Sequence, residues 1–195
     1  MPRKSPDPLA EIQRRARDES MAVTYALREC LDLGGLTGSA DLREWASREL
    51  HGYLGHEDEL PPYRRIRAPL LMDGISGNYK VTGASVSWID LPDFARDDVS
   101  EEITLTQGVR EIEGMISLAD SRNGFLDMSP QSAPDLARFM THELRDPSRH
   151  IERIYWTVSS SSLRGVVDSV RTTLIELAAE MRAGLLPALP FPRTR

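Results

Sequence analysis

The chain has 195 residues, of which 40% are hydrophobic and 28% are charged, and its formal net charge is −6 with a pI of about 5.3. This composition is ordinary for a globular protein, and a chain of this length can bury about 70% of its unfolded surface in one core. The negative charge argues against a dedicated nucleic-acid-binding protein, although it leaves a local basic patch open.

Cysteine usage and hydropathy narrow the class of protein further. Cys30 is the single cysteine, which excludes an intrachain disulfide and a cysteine metal cage. It falls in a helical apolar pattern, so we interpret it as a small core residue rather than a nucleophile. No apolar run approaches the roughly 20 residues that cross a bilayer, and the N-terminus lacks the apolar core of a signal peptide. We therefore expect a cytoplasmic protein that does not span a membrane.

The N-terminal third predicts helices. Asp7 followed by Pro8 is a helix start, because the carboxylate can cap free N–H groups and proline suits the first turn. Ser20 is predicted to cap a second helix, which is expected to end at Gly34 and Gly35. Ser39 is predicted to open a third helix. Its apolar face carries Leu42, Trp45, Ala46, Leu50 and Tyr53.

From Tyr63 the apolar period changes to that of strands. We predict an antiparallel pair over about 64–72 and 79–88, joined by a loop of sequence MDGISGN, whose glycines and asparagine favour a hairpin turn. Residues 90–102 are acidic and predict a surface loop that could contain one helical turn. The β-branched, alternating sequence ITLTQ predicts a third strand.

The second half alternates helical and extended patterns. Two helices are predicted, one at GVREIEGMISLA and one that starts near Pro134 and stops at Pro147. Two strands are predicted as well, at FLDMS and RIYWTV. A helix is the alternative for the second, since Ile151, Ile154, Tyr155 and Val158 also fit a helical period.

The longest element is a predicted helix from Ser160 to Met181. One face repeats apolar residues at helical spacing. Its members are Leu163, Val166, Val167, Val170, Leu174, Leu177, Ala178 and Met181. On the other face Arg164 and Asp168 are four apart, and Asp168 and Arg171 are three apart, so both pairs are predicted to meet. A stripe of this length has to be buried against the rest of the chain.

Together these elements predict an α+β fold. N-terminal helices and the long C-terminal amphipathic helix are expected to pack on a small, mainly antiparallel sheet. We predict a loose N-terminal tail over 1–7, a single domain over 8–184 and a Pro-rich C-terminal tail over 185–195.

Several motifs carry a family resemblance. One helix reads W…EL-x-GY. An LP-x-Y-R entry into the sheet follows, in which a second proline stands at the x position, and the last helix reads S-x-L-x-G-V-V-D-x-V-R. Over about residues 8–183 the chain resembles the AbiTii domain family of bacterial abortive-infection proteins. The resemblance implies a role in anti-phage defence as a toxic or growth-arresting component. It implies no particular reaction, so catalytic residues stay unknown.

Trp45, Glu49 and Tyr53 form the first candidate site, since they are spaced at i, i+4 and i+8 on one helix. A carboxylate between two aromatic rings could bind a base or a cation. The alternative is structural: the aromatic residues belong to the core, and Glu49 holds an arginine such as Arg64 at its edge.

Arg164, Asp168 and Arg171 form the second candidate site. The planar guanidinium group of arginine can donate two hydrogen bonds to a phosphate or a carboxylate. The alternative is a solvated ladder of ion pairs worth about 0.3–0.5 kcal/mol each. Gly165 has no local reason to lie in a helix, so we expect another backbone to approach it closely.

The sequence contains no complete pattern for a metal site or a zinc hydrolase. His51 and His56 lie near three acidic residues, but the glycines around them indicate a solvated loop. In THELR the second histidine of a zinc-protease motif is missing, because position 146 is Asp146. We therefore predict no metal and no cofactor.

Three functional hypotheses remain open. The first is a defence component that acts as a toxin or effector, or through a protein partner or homo-oligomer. The second is an enzyme acting on nucleotide or nucleic acid, with a cleft lined by arginines and carboxylates. Its residues would be Glu49, Arg64, Arg164, Asp168 and Arg171. The third is a structural adaptor. Convergent charges with perturbed titration would favour the enzyme, and an exposed apolar patch would favour an interaction module.

Overall fold

The computed structural model describes residues 7–37, 40–96 and 99–184. The chain divides into two compact units. The helical unit comprises Met1–Arg65, Leu105–Ser117 and Leu163–Arg195, and the sheet unit comprises Ile66–Thr104 and Leu118–Ser162. The boundaries of a single domain over 8–184 stay a prediction. Most of the two predicted tails, residues 1–6 and 185–195, lies outside the described residues.

The helical unit is built from α1 (Pro8–Arg17), α2 (Val23–Thr37), α3 (Ala40–His51), most of α4 (Val109–Asp120) and most of α6 (Ser160–Arg182). The predicted cap of α1 is confirmed, because the Asp7 carboxylate accepts a hydrogen bond from the Leu9 N–H at 3.1 Å. Gln13 of α1 donates to the Ile175 carbonyl of α6 at 3.1 Å, which joins the first and last helices of this unit.

The long C-terminal helix is confirmed, and so is its apolar stripe. Seven of the eight residues predicted for the stripe are buried, and Met181 is half-buried near the end of the helix. Each buried Val or Leu contributes roughly 1.5–3 kcal/mol relative to an exposed one. The stripe therefore supplies a large share of the stability of the helical unit.

Two of the predicted helix ends are wrong. α2 runs through Gly34 and Gly35 to Thr37, because burial of Leu33 and Gly34 outweighs the roughly 1 kcal/mol that glycine costs in a helix. Ser20 does not cap α2: it donates to the Asp18 carboxylate, and Glu113 of α4 accepts from the N–H of the first residue of α2 at 3.3 Å. Ser39 lies outside the described residues.

The sheet unit contains a four-stranded antiparallel sheet in the order β3-β2-β6-β5. These strands are β2 (Leu70–Ser76), β3 (Tyr79–Ser85), β5 (Phe125–Met128) and β6 (Arg149–Ser159). Two short strands, β1 (Arg65–Arg67) and β4 (Glu102–Thr104), pair separately, and α5 (Ala133–Glu143) packs along β6. The α+β class with antiparallel sheets is thus confirmed, as are the predicted strands at FLDMS, ITLTQ and RIYWTV.

The first predicted hairpin needs two corrections. The strand predicted over 64–72 is divided at Ala68 and Pro69, and most of the predicted loop MDGISGN belongs to β2. Gly74 lies within β2, and this position requires glycine because a Cβ there would lie 2.2 Å from the His150 carbonyl oxygen of the neighbouring strand. The turn itself is confined to Gly77 and Asn78.

The predicted acidic surface loop also supplies core residues. Two single-turn helices, Trp88–Asp90 and Asp93–Ala95, interrupt it. Leu91, Ala95 and Val99 are buried in the main cluster of the sheet unit beside Leu136 and Ile154. The segment is therefore acidic only on its exposed side.

One polar network crosses the sheet. The Asp73 carboxylate accepts hydrogen bonds from Gly83 N–H (2.8 Å), Arg153 Nε (2.7 Å) and Tyr155 OH (3.0 Å). Arg153 also donates to Asp127 at 3.0 Å. Burial opposes ionisation of Asp73, but these donors outweigh it and hold the pKa of Asp73 below its usual value. The network joins all four strands of this sheet, which supports a structural role for it.

Candidate functional site

The first candidate site, Trp45, Glu49 and Tyr53, is fully buried in the helical unit together with Arg64. One oxygen of the Glu49 carboxylate accepts from the hydroxyls of Tyr53 and Tyr63, both at 2.7 Å. The other oxygen accepts from the Arg64 guanidinium at 2.5 Å. The sequence therefore identified the Glu49–Arg64 pair correctly, but the pair lies inside the core rather than at its edge.

Arg64 connects this cluster to the segment before α4. Its guanidinium donates to the carbonyls of Leu105, at 3.1 Å, and Gln107, and its Cζ lies 4.8 Å from the centroid of the Tyr53 ring. Burial, reinforced by the Glu49 carboxylate, raises the pKa of Tyr53 and Tyr63, so both hydroxyls stay protonated and donate. Every part of this geometry supports a structural role for the group.

The backbone around this cluster is packed as closely as its side chains. Tyr53 N–H donates to the Thr106 carbonyl at 2.7 Å. A Cβ at Gly52 would lie 2.5 Å from that same oxygen, and a Cβ at Gly108 would lie 2.3 Å from the Leu50 carbonyl oxygen. Two glycines thus let the end of α3 and the start of α4 touch through their main chains. The W…EL-x-GY motif therefore describes a packing requirement.

The second predicted group, Arg164, Asp168 and Arg171, borders a groove of about 370 Å³ in the helical unit. The ion-pair ladder predicted for these three residues stays a prediction, and Asp168 is exposed. Arg171 donates to the carbonyls of Ala16 (3.2 Å) and Met21 (2.5 Å) and so closes the turn between α1 and α2.

This groove does not contain the first group, so the six candidate residues do not line one cleft. Its acidic lining residues include Glu113, which is engaged with the start of α2. The groove can offer mixed charges to a partner.

Gly165 does not meet the close approach expected for it. It is exposed, and no atom of the described residues lies within 4 Å of a Cβ placed there. We therefore predict that Gly165→Ala raises the free energy of unfolding by about 0.5–1 kcal/mol, because alanine is the better helix former. Urea denaturation of both proteins measures this. A destabilised variant would mean that the helix surface at this position is covered.

His51, His56 and Cys30 are the remaining candidates for metal binding or nucleophilic chemistry. Among the described residues, no group of three or more His, Cys, Asp or Glu side chains could hold a metal. The His56 ring lies 3.7 Å from Glu59 in a loop. Burial raises the pKa of the Cys30 thiol to about 12, so this thiol stays protonated and unreactive.

Sequence patterns did not predict an apolar groove that lies in the sheet unit. We call it the aromatic groove; its volume is about 580 Å³. It lies between α5, the segment 85–93 and the sheet. Its apolar walls are Met72, Val86, Leu91, Pro92, Phe139 and Met140. Asp90, Asp93 and Glu143 also line it, so it combines apolar walls with carboxylates.

Exposed apolar residues cluster beside the aromatic groove. Trp88 is 58% exposed, Ile89 75%, Phe94 62% and Phe139 43%. The rings of Phe94 and Phe139 meet edge to face at 5.1 Å. Such a cluster of large apolar side chains marks an interaction surface more often than a catalytic one.

Local bonds fix the conformation of the segment that bears these residues. Ser87 and Asp90 form a reciprocal capping box, and Arg96 donates to the Leu91 carbonyl at 3.0 Å while its Cζ lies 4.8 Å from the Trp88 ring centroid. The signal that could have revealed this surface is the sequence WIDLPDF. It is dense in aromatic and apolar residues but has no helical or strand period.

Comparisons with known proteins agree with the motifs. The sequence model of the AbiTii family matches residues 9–191. No curated protein and no solved structure gives a significant match. No helix among the described residues is long and apolar enough to cross a membrane. With nearly its whole length matched, the chain belongs to the AbiTii family, whose name denotes abortive infection, a bacterial defence against phage.

Proposed function

We propose that this protein is a component of abortive infection that acts in the bacterial cytoplasm through protein–protein contact, with arrest or death of the infected cell as the outcome. The observation that carries the proposal is the cluster of exposed Trp88, Ile89, Phe94 and Phe139 beside the aromatic groove. Family membership supplies the defence setting. The surface supplies the mode of action, because large exposed apolar side chains gain stability when a partner covers them.

The rival hypothesis, an enzyme acting on nucleotide or nucleic acid, has less geometric support. Its proposed cleft required Glu49 and Arg64 to reach a ligand, but both side chains are fully buried and engaged with each other. Arg171 is engaged with backbone carbonyls. The third hypothesis, a structural adaptor, shares the same surface and differs in predicting no effect on the host cell.

The test is a phage challenge of bacteria that express the full chain. We expect fewer plaques, and death of infected cells without a normal phage yield. Replacing Ile89 and Phe94 together by serine is expected to abolish protection without loss of protein, because both side chains are exposed. The matched control is Phe125→Ser, since Phe125 is 52% exposed but lies on β5, outside the cluster formed by Trp88, Ile89, Phe94 and Phe139.

The controls decide between the hypotheses. Immunoblots show whether each variant accumulates to the same level as the original protein. Protection by the double variant at equal abundance would refute the interaction surface, and unchanged plating and survival across a broad phage panel would count against a defence role. Protection in which infected cells survive would favour an adaptor over a toxic effector.

A further inference from the structure

The aromatic groove has chemistry that suits one class of peptide. Its walls are mainly apolar and include the aromatic ring of Phe139. The charged groups among them are the carboxylates of Asp90, Asp93 and Glu143 and the guanidinium of Arg149. Aromatic-lined grooves bind proline-rich segments, whose restricted backbones lose little conformational entropy on binding. Nearby carboxylates select segments that also carry arginine. A proline-rich, apolar and basic peptide is therefore the ligand that this groove fits.

The chain itself carries such a sequence just after its last helix. Residues 185–195 read LLPALPFPRTR and lie outside the described residues. The segment combines three prolines, the apolar residues Leu185, Leu186, Leu189 and Phe191, and two arginines, with no acidic residue. Its composition complements both the walls and the carboxylates of the aromatic groove.

We propose that the aromatic groove of one copy binds residues 185–195 of a second copy. Interface size favours exchange between two copies. A segment this short buries less than the roughly 800 Å² per partner of a standard protein interface. Reciprocal exchange makes two such contacts in one closed dimer, and the second contact forms at high effective concentration. Two weak contacts then produce one stable assembly.

This inference deepens the proposed function, because it names the partner of the interaction surface. The two can nevertheless fail separately. Dimerisation is measured on purified protein. Phage protection is measured in cells that express the variant with serine at positions 89 and 94, and neither Ile89 nor Phe94 lines the groove. A dimer without phage protection would refute the defence role alone, and protection by a strictly monomeric protein would refute the exchange alone.

The first experiment is sedimentation equilibrium of the full chain over a wide range of concentrations. We expect a monomer–dimer equilibrium. Phe139→Ala in the groove and Phe191→Ala in the segment are each expected to weaken dimerisation by roughly tenfold or more, because buried aromatic anchors dominate interfaces. Circular dichroism confirms that each variant is folded. The matched controls, Phe125→Ala and Thr194→Ala, are expected to dimerise like the original chain.

Mixing the two variants gives the sharper result. A Phe139→Ala chain retains an intact segment, and a Phe191→Ala chain retains an intact groove. Their mixture is therefore expected to form heterodimers through one intact contact, at concentrations at which each variant alone stays monomeric. A monomeric original chain, or a dimer that neither substitution weakens, would overturn the proposal. So would the absence of association on mixing.

A labelled synthetic peptide of residues 185–195 tests the contact directly. Fluorescence anisotropy is expected to show saturable binding to the Phe191→Ala chain, and the additional Phe139→Ala substitution is expected to abolish it. Peptide binding combined with a monomeric original chain would place the segment in the groove of its own copy, and would overturn the exchange between copies. No binding at all would overturn the groove assignment.

Discussion

Arg64→Met is expected to lower the free energy of unfolding by about 3–5 kcal/mol, because it leaves the buried Glu49 carboxylate without its counter-charge. The same change removes the donors to the Leu105 and Gln107 carbonyls. Since a natural domain is stable by only about 5–15 kcal/mol, this is a large fraction of the total. Guanidinium denaturation followed by circular dichroism and tryptophan fluorescence measures it.

A double-mutant cycle isolates the charge term. Glu49→Gln combined with Arg64→Met removes both charges but keeps a side-chain oxygen that can accept from the tyrosine hydroxyls. We expect the double variant to be more stable than Arg64→Met alone, because replacing a whole buried ion pair is far less destabilising than breaking it. This recovery would show that the penalty arises from an isolated buried charge.

The matched control is Arg138→Met. Arg138 and Asp135 are an ion pair on the surface of α5, and their side chains are 78% and 79% exposed. Exposed pairs contribute roughly 0–1 kcal/mol, so this variant is expected to unfold close to the original protein. If Arg64→Met behaved like Arg138→Met, with an unchanged denaturant slope, Glu49 would have to be solvated in the folded protein.

The elements that the sequence predicted well are those whose signal is local. The helix Ser160–Arg182 was identified because its apolar stripe repeats over many turns, and the Asp7 cap because capping involves neighbouring residues. The C-terminal end of α2 was missed because burial of Leu33 and Gly34 comes from other elements, and its start was missed because the accepting group, Glu113, lies on α4. The propensities of neighbouring residues contain no information on burial against elements that are distant in the sequence.

In the candidate site, too, the features that were predicted depend on residue type, and the features that were missed depend on contacts between distant segments. The Glu49–Arg64 pair was foreseen from residue types, but its depth depends on carbonyls of Leu105 and Gln107 that are more than 40 positions away. The aromatic groove was missed because residues 86–99 follow no regular period. The sequence of this segment predicts an acidic surface loop, whereas in the structure Leu91 and Val99 are buried in the core.

Gly52→Ala is expected to lower the free energy of unfolding by about 2–4 kcal/mol. Gly52 has φ of +95°, and the added Cβ would lie 2.5 Å from the Thr106 carbonyl oxygen. Relief requires the backbone to move, which strains or breaks the 2.7 Å hydrogen bond from Tyr53 N–H to that same oxygen. Chemical denaturation of the purified variants measures the loss.

Two further glycines separate the causes of that loss. Gly108→Ala introduces only the steric clash, since its Cβ would lie 2.3 Å from the Leu50 oxygen. Gly55→Ala introduces only the backbone strain, because Gly55 has φ of +80° and no described atom lies within 4 Å of the Cβ position. Strain alone is expected to cost about 1–2 kcal/mol. We therefore expect Gly52→Ala to exceed Gly55→Ala, with Gly108→Ala also clearly destabilised. Equal losses at Gly52 and Gly55 would mean that the main chains of α3 and the segment before α4 do not touch, and the W…EL-x-GY motif would then need an explanation other than packing.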